Sequence, residues 1–207
     1  MAIDLKTLLA RGNVAFVLCE VQGGIIGDLA PWPELASAAA KVDLVRNAAR
    51  LAEAARAHGA PVLHCTAEKL PGGFGGNANA RLFGNARKRT GEASRDPHYE
   101  RPCPPVWREG DILLPRYHGL SPMTGTPLDS VLRNQGVDTV ILGGVSVSFA
   151  ILNLTFDAVN RAYQVILPRD AVAGFPEDYA QAVIANTLAM LATIATTDDI
   201  LAAWSPA

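Results

Sequence analysis

The side chains best suited to chemistry directly follow predicted strands. In chain order they are Glu20, Arg116, His118 and Ser146. Ligands of open α/β sheets bind outside the carboxyl ends of the strands, so these positions mark one candidate site. A carboxylate there can accept or donate a proton, a guanidinium can bind a carboxylate, and an imidazole can transfer a proton near neutral pH. The pattern therefore predicts a ligand site at the carboxyl ends of the strands, where these residue types would permit acid–base chemistry.

The segment 143–158, GGVSVSFAILNLTFDA, carries the strongest local signal. It is preceded by the aliphatic run 139–142, which is typical of a parallel strand buried on both faces. Two glycines, Gly143 and Gly144, then permit a sharp turn, and a helical pattern follows. We predict a strand end, a tight turn and a helix start, with the ligand near the turn.

This segment resembles the GVxTxxCVxxTAxDA signature of the isochorismatase-like (cysteine hydrolase) superfamily. Gly144 and the pair Asp157-Ala158 match its fixed positions, and Ala150 stands where the signature has its cysteine. The resemblance extends over nearly the whole chain and implies the fold of that superfamily.

Two further segments carry the resemblance. Glu20-Val21-Gln22 corresponds to the family's Asp-x-Gln element, with a carboxylate one carbon longer. In the family pattern Lys-x-x-x-Ser-Ala-Phe-x-Gly-Thr, Ser121 and Gly125-Thr126 match. Arg116 takes the place of the lysine only if one residue is inserted, because Tyr117 occupies the ungapped position.

The resemblance implies which residues act. In the family, a carboxylate takes the thiol proton, a cation keeps the carboxylate ionised, and the thiolate attacks an amide or ester carbonyl. Glu20, Arg116 and Ala150 stand at these three places. An alanine methyl cannot attack a carbonyl, so a covalent cysteine mechanism at this position is excluded.

A mechanism without the cysteine is implied by the isochorismatase branch, which lacks the cysteine and cleaves a vinyl ether by acid catalysis. Glu20 then acts as the acid or base with bound water, provided that burial brings its pKa toward the working pH. Arg116 holds a carboxylate of the substrate, or pairs with Glu20 in a purely structural role. Isochorismate itself is not the favoured substrate, because the aspartate and the clear lysine of that branch are missing.

The resemblance also implies the surroundings of the reacting group. Family members have a cis peptide in this turn, here between Val145 and Ser146, and we expect the N–H groups near Phe149 and Ala150 to form an anion pocket. His118 is an alternative proton-transfer group, although a structural role in its loop is also open. The predicted substrate-binding residues are Gln22, Ser121, Val145, Ser146 and Phe149.

Other candidate groups have simpler interpretations. We interpret Ser146 and Ser148 as turn residues whose hydroxyls satisfy backbone groups, and Cys19 and Cys65 as buried strand residues. Cys103 is expected to be a loop thiol, and His64 to be half-buried packing. The isolated triplet Asp96-Pro97-His98 does not make a metal site, and we predict neither a metal nor a cofactor.

Strand patterns alternate with helical patterns along the chain. This predicts a three-layer α/β/α Rossmann-like sheet, mostly parallel, with about six strands and helices on both faces, in a single domain of residues 1–207. The predicted strands are 14–19, 61–65, 111–114, 139–142, 165–167 and 192–197. The predicted helices are 34–58, 127–135, 179–190 and 198–204, together with the one that begins within 143–158. Residues 67–109 form a long loop or insertion, within which 78–89 is compatible with a short helix.

Composition excludes several classes of function. With 207 residues, 49% of them hydrophobic, the chain can bury a full core. A net charge of −2 gives no electrostatic case for binding nucleic acid or an anionic membrane. No apolar run approaches the roughly 20 residues of a membrane span.

The first residues lack a signal-peptide core, and three cysteines form no even framework, so we expect a reduced, cytoplasmic protein. The family resemblance adds a homo-oligomer, either a dimer or a tetramer.

Three hypotheses for function remain open. The first is a small-molecule hydrolase that works without a cysteine, through Glu20 and water. The second is a non-catalytic relative that binds a small polar ligand, and the third is a structural subunit of an oligomer. A pocket lined by polar groups favours the first two, whereas a pocket filled by Met123 and Phe149 favours the third.

Overall fold

The computed structural model describes residues 4–10, 12–90 and 96–204. Within these ranges seven strands form one sheet that is parallel throughout, in the order β3-β2-β1-β4-β5-β7, with the short β6 also paired to β4. The strands are β1 Val14–Cys19, β2 Val62–Ala67, β3 Ile112–Arg116, β4 Thr139–Val145, β5 Gln164–Pro168, β6 Val172–Ala173 and β7 Thr193–Ala195. The predicted fold class is confirmed, and β6 is the strand that the sequence pattern did not predict.

Helices cover both faces of this sheet. They are α1 Leu5–Ala10, α2 Pro33–Lys41, α3 Leu44–Ala57, α4 Arg81–Thr90, α5 Leu128–Asn134, α6 Leu152–Asn160, α7 Glu177–Asn186 and α8 Thr197–Trp204. Residues of α1, α2, α3 and α8 pack in one hydrophobic cluster, and residues of α5, α6 and α7 pack in a second. Strand β1 separates the two clusters, because Phe16 and Leu18 face the first while Ala15 and Val17 face the second. This burial on both faces explains why the strand has no polar residue.

The helix predicted over residues 34–58 is divided into α2 and α3. Asp43 adopts a left-handed conformation with φ of 50° and separates them. The side chain of Asn47 donates hydrogen bonds to the carbonyl of Val42 at 3.0 Å and to that of Asp170 at 2.9 Å, which stabilises the break. This break was not predicted, because neither glycine nor proline occurs at this point.

Smaller differences concern the ends of the chain and the long insertion. Helix α1 was not predicted, and the helix predicted over 179–190 ends at Asn186 before a short 3-10 helix, Leu188–Met190. The insertion contains another 3-10 helix, Pro71–Gly73, followed by α4. No helix in the described ranges is both long enough and apolar enough to cross a membrane.

Candidate active site

The carboxyl ends of four neighbouring strands meet at the candidate site. Cys19, the last residue of β1, pairs with Cys65 of β2 on one side and with Gly144 of β4 on the other. Glu20 therefore follows at the level of the turn that begins at Val145. Arg116 ends β3 and pairs with Ala67 of β2. The parallel register brings the predicted residues of three separate segments to one edge of the sheet.

Glu20 and Arg116 form an ion pair across this edge. Nη2 of Arg116 lies 2.5 Å from Oε1 of Glu20, with the side chains 6% and 14% exposed, respectively. Nη1 donates to the carbonyl of Leu120 at 3.1 Å. Burial alone would lower the pKa of Arg116, but the charge and hydrogen bond of Glu20 raise it above its usual value. Tyr117 is 37% exposed, so Arg116 and not Tyr117 occupies the inner position.

The backbone at Glu20 turns sharply to leave the strand. Its φ is 56°, and its N–H donates to the carbonyl of Cys65 at 2.9 Å. Across from it, Gly144 has φ of 108°, and a Cβ at this position would lie 2.0 Å from the carbonyl oxygen of Cys19. Glycine is therefore required at Gly144 by both its conformation and the close approach of β1.

The turn after β4 contains the expected cis peptide between Val145 and Ser146, and this prediction is confirmed. A π-helical turn, Val147–Ile151, follows. The carbonyl of Ser146 accepts hydrogen bonds from the N–H groups of Phe149 and Ile151, each at 3.1 Å. The N–H of Phe149 is thus used inside the turn and is not directed at an anion, contrary to our expectation, while the role of the Ala150 N–H stays a prediction.

Ala150 lies in a tightly packed interior. It is 2% exposed and belongs to the same hydrophobic cluster as Met123, also 2% exposed, and Cys19. Phe149 instead is 44% exposed, with its ring directed outward. Of the two side chains proposed to fill a vestigial pocket, Met123 is in the interior and Phe149 is not.

The three cysteines are buried free thiols. Burial raises the pKa of Cys65 to about 12 and that of Cys103 to about 11, and it raises the pKa of Cys19 well above its usual value. A thiolate is the nucleophilic form of cysteine, so none of the three is activated near neutral pH. Cys103 lies in a loop, as expected, and its side chain packs in the hydrophobic cluster that includes residues of α3.

Ser148, one of the two serines of the turn, differs from our interpretation. The Oγ atom of Ser148 is buried and has no hydrogen-bond partner within the described part of the chain. It does not satisfy a backbone group of the turn. An unpaired buried hydroxyl is uncommon in folded proteins and calls for an explanation such as a bound ligand. The sequence pattern carried no signal for this, because the pairing depends on the π-helical geometry.

Comparison with known proteins identifies the family. Residues 14–199 match the family described as Isochorismatase domain. The chain belongs to this family. A cysteine hydrolase from Pseudomonas syringae pv. phaseolicola is similar in structure, with a TM-score of 0.76 and 21% identity over 99% of this chain and 95% of that one. N-carbamoylsarcosine amidase from Thermoplasma acidophilum has a TM-score of 0.69 and 24% identity over 90% and 97% of the two chains.

A curated relative matches over a shorter stretch. The ureidoacrylate amidohydrolase RutB of Methylobacterium radiotolerans is 38% identical over 81 residues, which cover 37% of this chain and 30% of that protein. The match thus spans less than a third of the relative's length. The likeness to the two solved structures concerns the fold alone, since both lie below 25% identity.

In this isochorismatase-family chain, Gln22 has its amide fully engaged with the protein. Its Oε1 accepts from the N–H of Ala67 at 2.7 Å, while Nε2 donates to the carbonyls of Ala67 at 3.2 Å and Glu100 at 2.8 Å. Gln22 therefore joins the ends of β1 and β2 to the long insertion. Its predicted contact with substrate stays a prediction.

Ser121 is also engaged with the protein. Its hydroxyl donates to Asp157 at 2.5 Å, and Thr124 donates to the same carboxylate oxygen at 2.7 Å. Burial alone would raise the pKa of Asp157, but the hydrogen bonds of Ser121, Thr124 and Arg161 hold it below its usual value. These contacts hold the loop after β3 against α6. They bring the segment that contains Ser121 into contact with the segment 143–158, which is distant in sequence.

The two candidate histidines lie in different surroundings. His118 is exposed, and its described contacts include no hydrogen bond to Glu20 or Arg116. His64 is 2% exposed rather than half-buried, and its Nε2 lies 3.0 Å from Asp111. Within the described ranges, no group of three or more histidine, cysteine, aspartate or glutamate side chains is arranged to hold a metal ion.

Proposed function

We propose that this isochorismatase-family protein is a hydrolase of a small polar metabolite that acts without a cysteine nucleophile, through the Glu20 carboxylate and a water molecule. The observation that carries the proposal is the ion pair of Glu20 and Arg116 at the strand ends, 2.5 Å long, opposite a turn whose nucleophile position is Ala150. The carboxylate and the cation of the family arrangement are both present, while the thiol is absent.

In the proposed mechanism Glu20 is a general base rather than an acid. Oε1 of Glu20 accepts a hydrogen bond from the guanidinium of Arg116, an arrangement that suits a base, whereas an acid must present a proton to the substrate. Oε1 receives the hydrogen bond from Arg116, and Oε2 receives none from the described residues. We assign to Oε2 the removal of a proton from water, whose oxygen then attacks the substrate carbonyl. The bond between the carbonyl carbon and the leaving group then breaks, and Glu20 returns the proton to the leaving group, so that an amide yields a carboxylic acid and an amine.

Arg116 has a positioning role in this mechanism. The sequence-based alternative was that it holds a carboxylate of the substrate. Its side chain is 6% exposed, and its described hydrogen bonds go to Glu20 and to the carbonyl of Leu120. A guanidinium held in this way fixes the orientation of the Glu20 carboxylate. It is not positioned to bind a carboxylate of the substrate.

Amides and ureides are the substrate classes that we propose first. The family relatives with stated activities are an amidohydrolase and an amidase. The unpaired hydroxyl of Ser148 offers a donor to a ligand oxygen beside the turn. Esters and lactones belong in the same panel because they also carry a carbonyl that water can attack. Vinyl ethers are included because the acid mechanism of the isochorismatase branch would favour them.

The test is turnover of this panel by the wild type, by Glu20→Gln and by the control Glu109→Gln, whose carboxylate is exposed. We expect at least one amide or ureide to be hydrolysed, with turnover about 10²- to 10⁴-fold lower in Glu20→Gln and unchanged in the control. Equal turnover in Glu20→Gln and the wild type would refute the role of Glu20.

A non-catalytic ligand-binding protein is the second candidate. The observation in its favour is the unpaired hydroxyl of Ser148, which can bind a ligand oxygen without any bond of the ligand being broken. In that case no member of the panel is hydrolysed, while ligands still raise the melting temperature of the protein.

Assembly and location complete the proposal. We expect a dimer or tetramer, a small-molecule substrate, and residence in the cytoplasm. Light scattering coupled to size-exclusion chromatography measures the first of these directly, and a monomer at micromolar concentration would contradict it.

A further inference from the structure

The segment between β2 and α4 is tied at both ends to the immediate surroundings of Arg116. At its start, the N–H of Glu68 donates to the carbonyl of Arg116 at 2.9 Å. At its end, Oδ1 of Asn77 accepts a hydrogen bond from the N–H of Gly119 at 2.7 Å. The segment thus leaves the sheet at the edge where Glu20 and Arg116 lie, and it returns to the loop that follows Arg116.

The middle of this segment consists of one aromatic residue among glycines. Its sequence from residue 71 to residue 76 is PGGFGG, and Gly72, Gly73 and Gly75 have φ of 67°, 72° and 75°. Phe74 is 80% exposed. Glycines can change backbone conformation at small cost, so the ring can move without disturbing the anchored ends.

The length of the chain between Phe74 and its anchor allows the ring to move toward the candidate site. Phe74 is three residues from Asn77, and an extended chain spans about 3.3 Å per residue, so the Cα atom can move within about 10 Å of that anchor. The anchor is bonded to Gly119, three residues after Arg116. A phenylalanine ring buries roughly 150–250 Å² when it packs, which is a substantial area to leave in water.

We propose that Phe74 closes over a ligand bound beside Glu20 and selects substrates that carry an aromatic or other apolar group beside the bond to be hydrolysed. The inference rests on the site of the proposed function and adds its substrate class. The ring packs on the apolar part of the ligand and excludes bulk water from the reacting carbonyl. A small, fully polar amide lacks that contact and binds less tightly.

The test compares benzamide with acetamide, which share the amide and differ in the apolar group. Dissociation constants and turnover are measured for the wild type, for Phe74→Ala and for Met190→Ala, a control in which the replaced side chain is 82% exposed on a distant helical turn. We expect the wild type to prefer benzamide by at least tenfold. In Phe74→Ala the preference falls about fivefold or more, and in Met190→Ala it is retained.

A second variant reports the movement itself. Phe74→Trp places an indole at the tip of the segment, and its emission is obtained as the difference from the wild-type spectrum, which contains Trp32, Trp107 and Trp204. Benzamide is expected to shift this emission to shorter wavelength and to reduce its quenching by acrylamide. An indole that stays equally accessible when benzamide is bound would overturn the closure.

The outcomes separate this inference from the proposed function. A Phe74-dependent preference for benzamide without turnover of either amide supports the inference and refutes the hydrolase proposal for this substrate class. Turnover with the preference unchanged in Phe74→Ala overturns the inference and leaves the hydrolase standing. Absence of benzamide binding to the wild type overturns it as well. Loss of the oligomer in Phe74→Ala, with the preference retained, would assign the ring to contact with a second copy of the chain and overturn it.

Discussion

The guanidinium of Arg116, the last residue of β3, lies 2.5 Å from the carboxylate of Glu20, which follows β1, although these two strands are not neighbours in the sheet. Strand β2 lies between them in the sheet, so the pair bridges the carboxyl ends of three strands. Both side chains are largely buried, at 6% and 14% exposure. This single contact defines the candidate site.

Removal of the Glu20 carboxylate should destabilise the protein. In Glu20→Ala the buried charge of Arg116 loses its partner, which we expect to cost about 3 kcal/mol in the free energy of unfolding. The double variant Glu20→Ala/Arg116→Met should recover part of this loss, because no unpaired charge remains. Urea denaturation at neutral pH measures both. A cost below about 0.5 kcal/mol in Glu20→Ala would indicate that water reaches the guanidinium and replaces the hydrogen bond to the lost carboxylate.

Ser148→Ala should raise stability and lower activity. The buried hydroxyl has no partner in the described chain, and removing such a group gains about 1 kcal/mol. If the hydroxyl binds a ligand, kcat/KM should fall while the melting temperature rises. Ser130→Ala, which removes an exposed hydroxyl from α5, provides the control. A loss of stability in Ser148→Ala would mean that the hydroxyl serves the protein rather than a ligand.

Stability should fall on the acid side because of His64. Burial lowers the pKa of His64, an effect that the hydrogen bond with Asp111 opposes only in part. The unfolded state, with a histidine pKa of about 6.5, then binds the proton more readily than the folded state. The contribution of neutral His64 is complete above that pH and is lost as pH decreases below it.

The measurement is the free energy of unfolding in urea at several pH values from 8 to 5. His64→Gln should weaken the fold at pH 8 but should decline less steeply with acid than the wild type. His118→Gln replaces an exposed histidine and serves as the control. Identical acid slopes in the wild type and His64→Gln would contradict the assignment.

Thiol reactivity tests the exclusion of a cysteine mechanism. Cys19 and Cys65 are at most 2% exposed, and Cys103 is 7% exposed, with every pKa raised by burial. We expect Ellman's reagent to modify none of them in the folded protein at pH 8 within minutes, and all of them after unfolding. Rapid modification of one thiol, accompanied by loss of turnover, would reopen a covalent mechanism.

The fold was predictable because its signals are local. Strand β1 is apolar at every position, which is typical of a strand buried on both faces. Gly144 marks the turn after β4, where the close approach of the Cys19 backbone leaves no room for a side chain. The break at Asp43 was not predictable, because a non-glycine residue takes the left-handed conformation there.

Only those site residues were predictable that could be assigned from their charge and their position in the family motifs. The carboxylate and the cation could be assigned from the resemblance, and the structure brings them together. The engagement of Gln22 with Ala67 and Glu100, the isolation of the Ser148 hydroxyl, and the outward position of Phe149 depend on how distant loops meet. The residue pattern of a single sequence does not reveal such contacts between distant loops.

The most direct test of the account compares turnover of one hydrolysed substrate by the wild type, Glu20→Asp and Glu20→Gln. The aspartate variant retains a carboxylate, while the glutamine variant retains the size of the side chain without its basicity. The account predicts measurable turnover in the first two and a loss of about 10²- to 10⁴-fold in Glu20→Gln, with that variant still folded and still able to bind the substrate. Wild-type turnover in Glu20→Gln would contradict it.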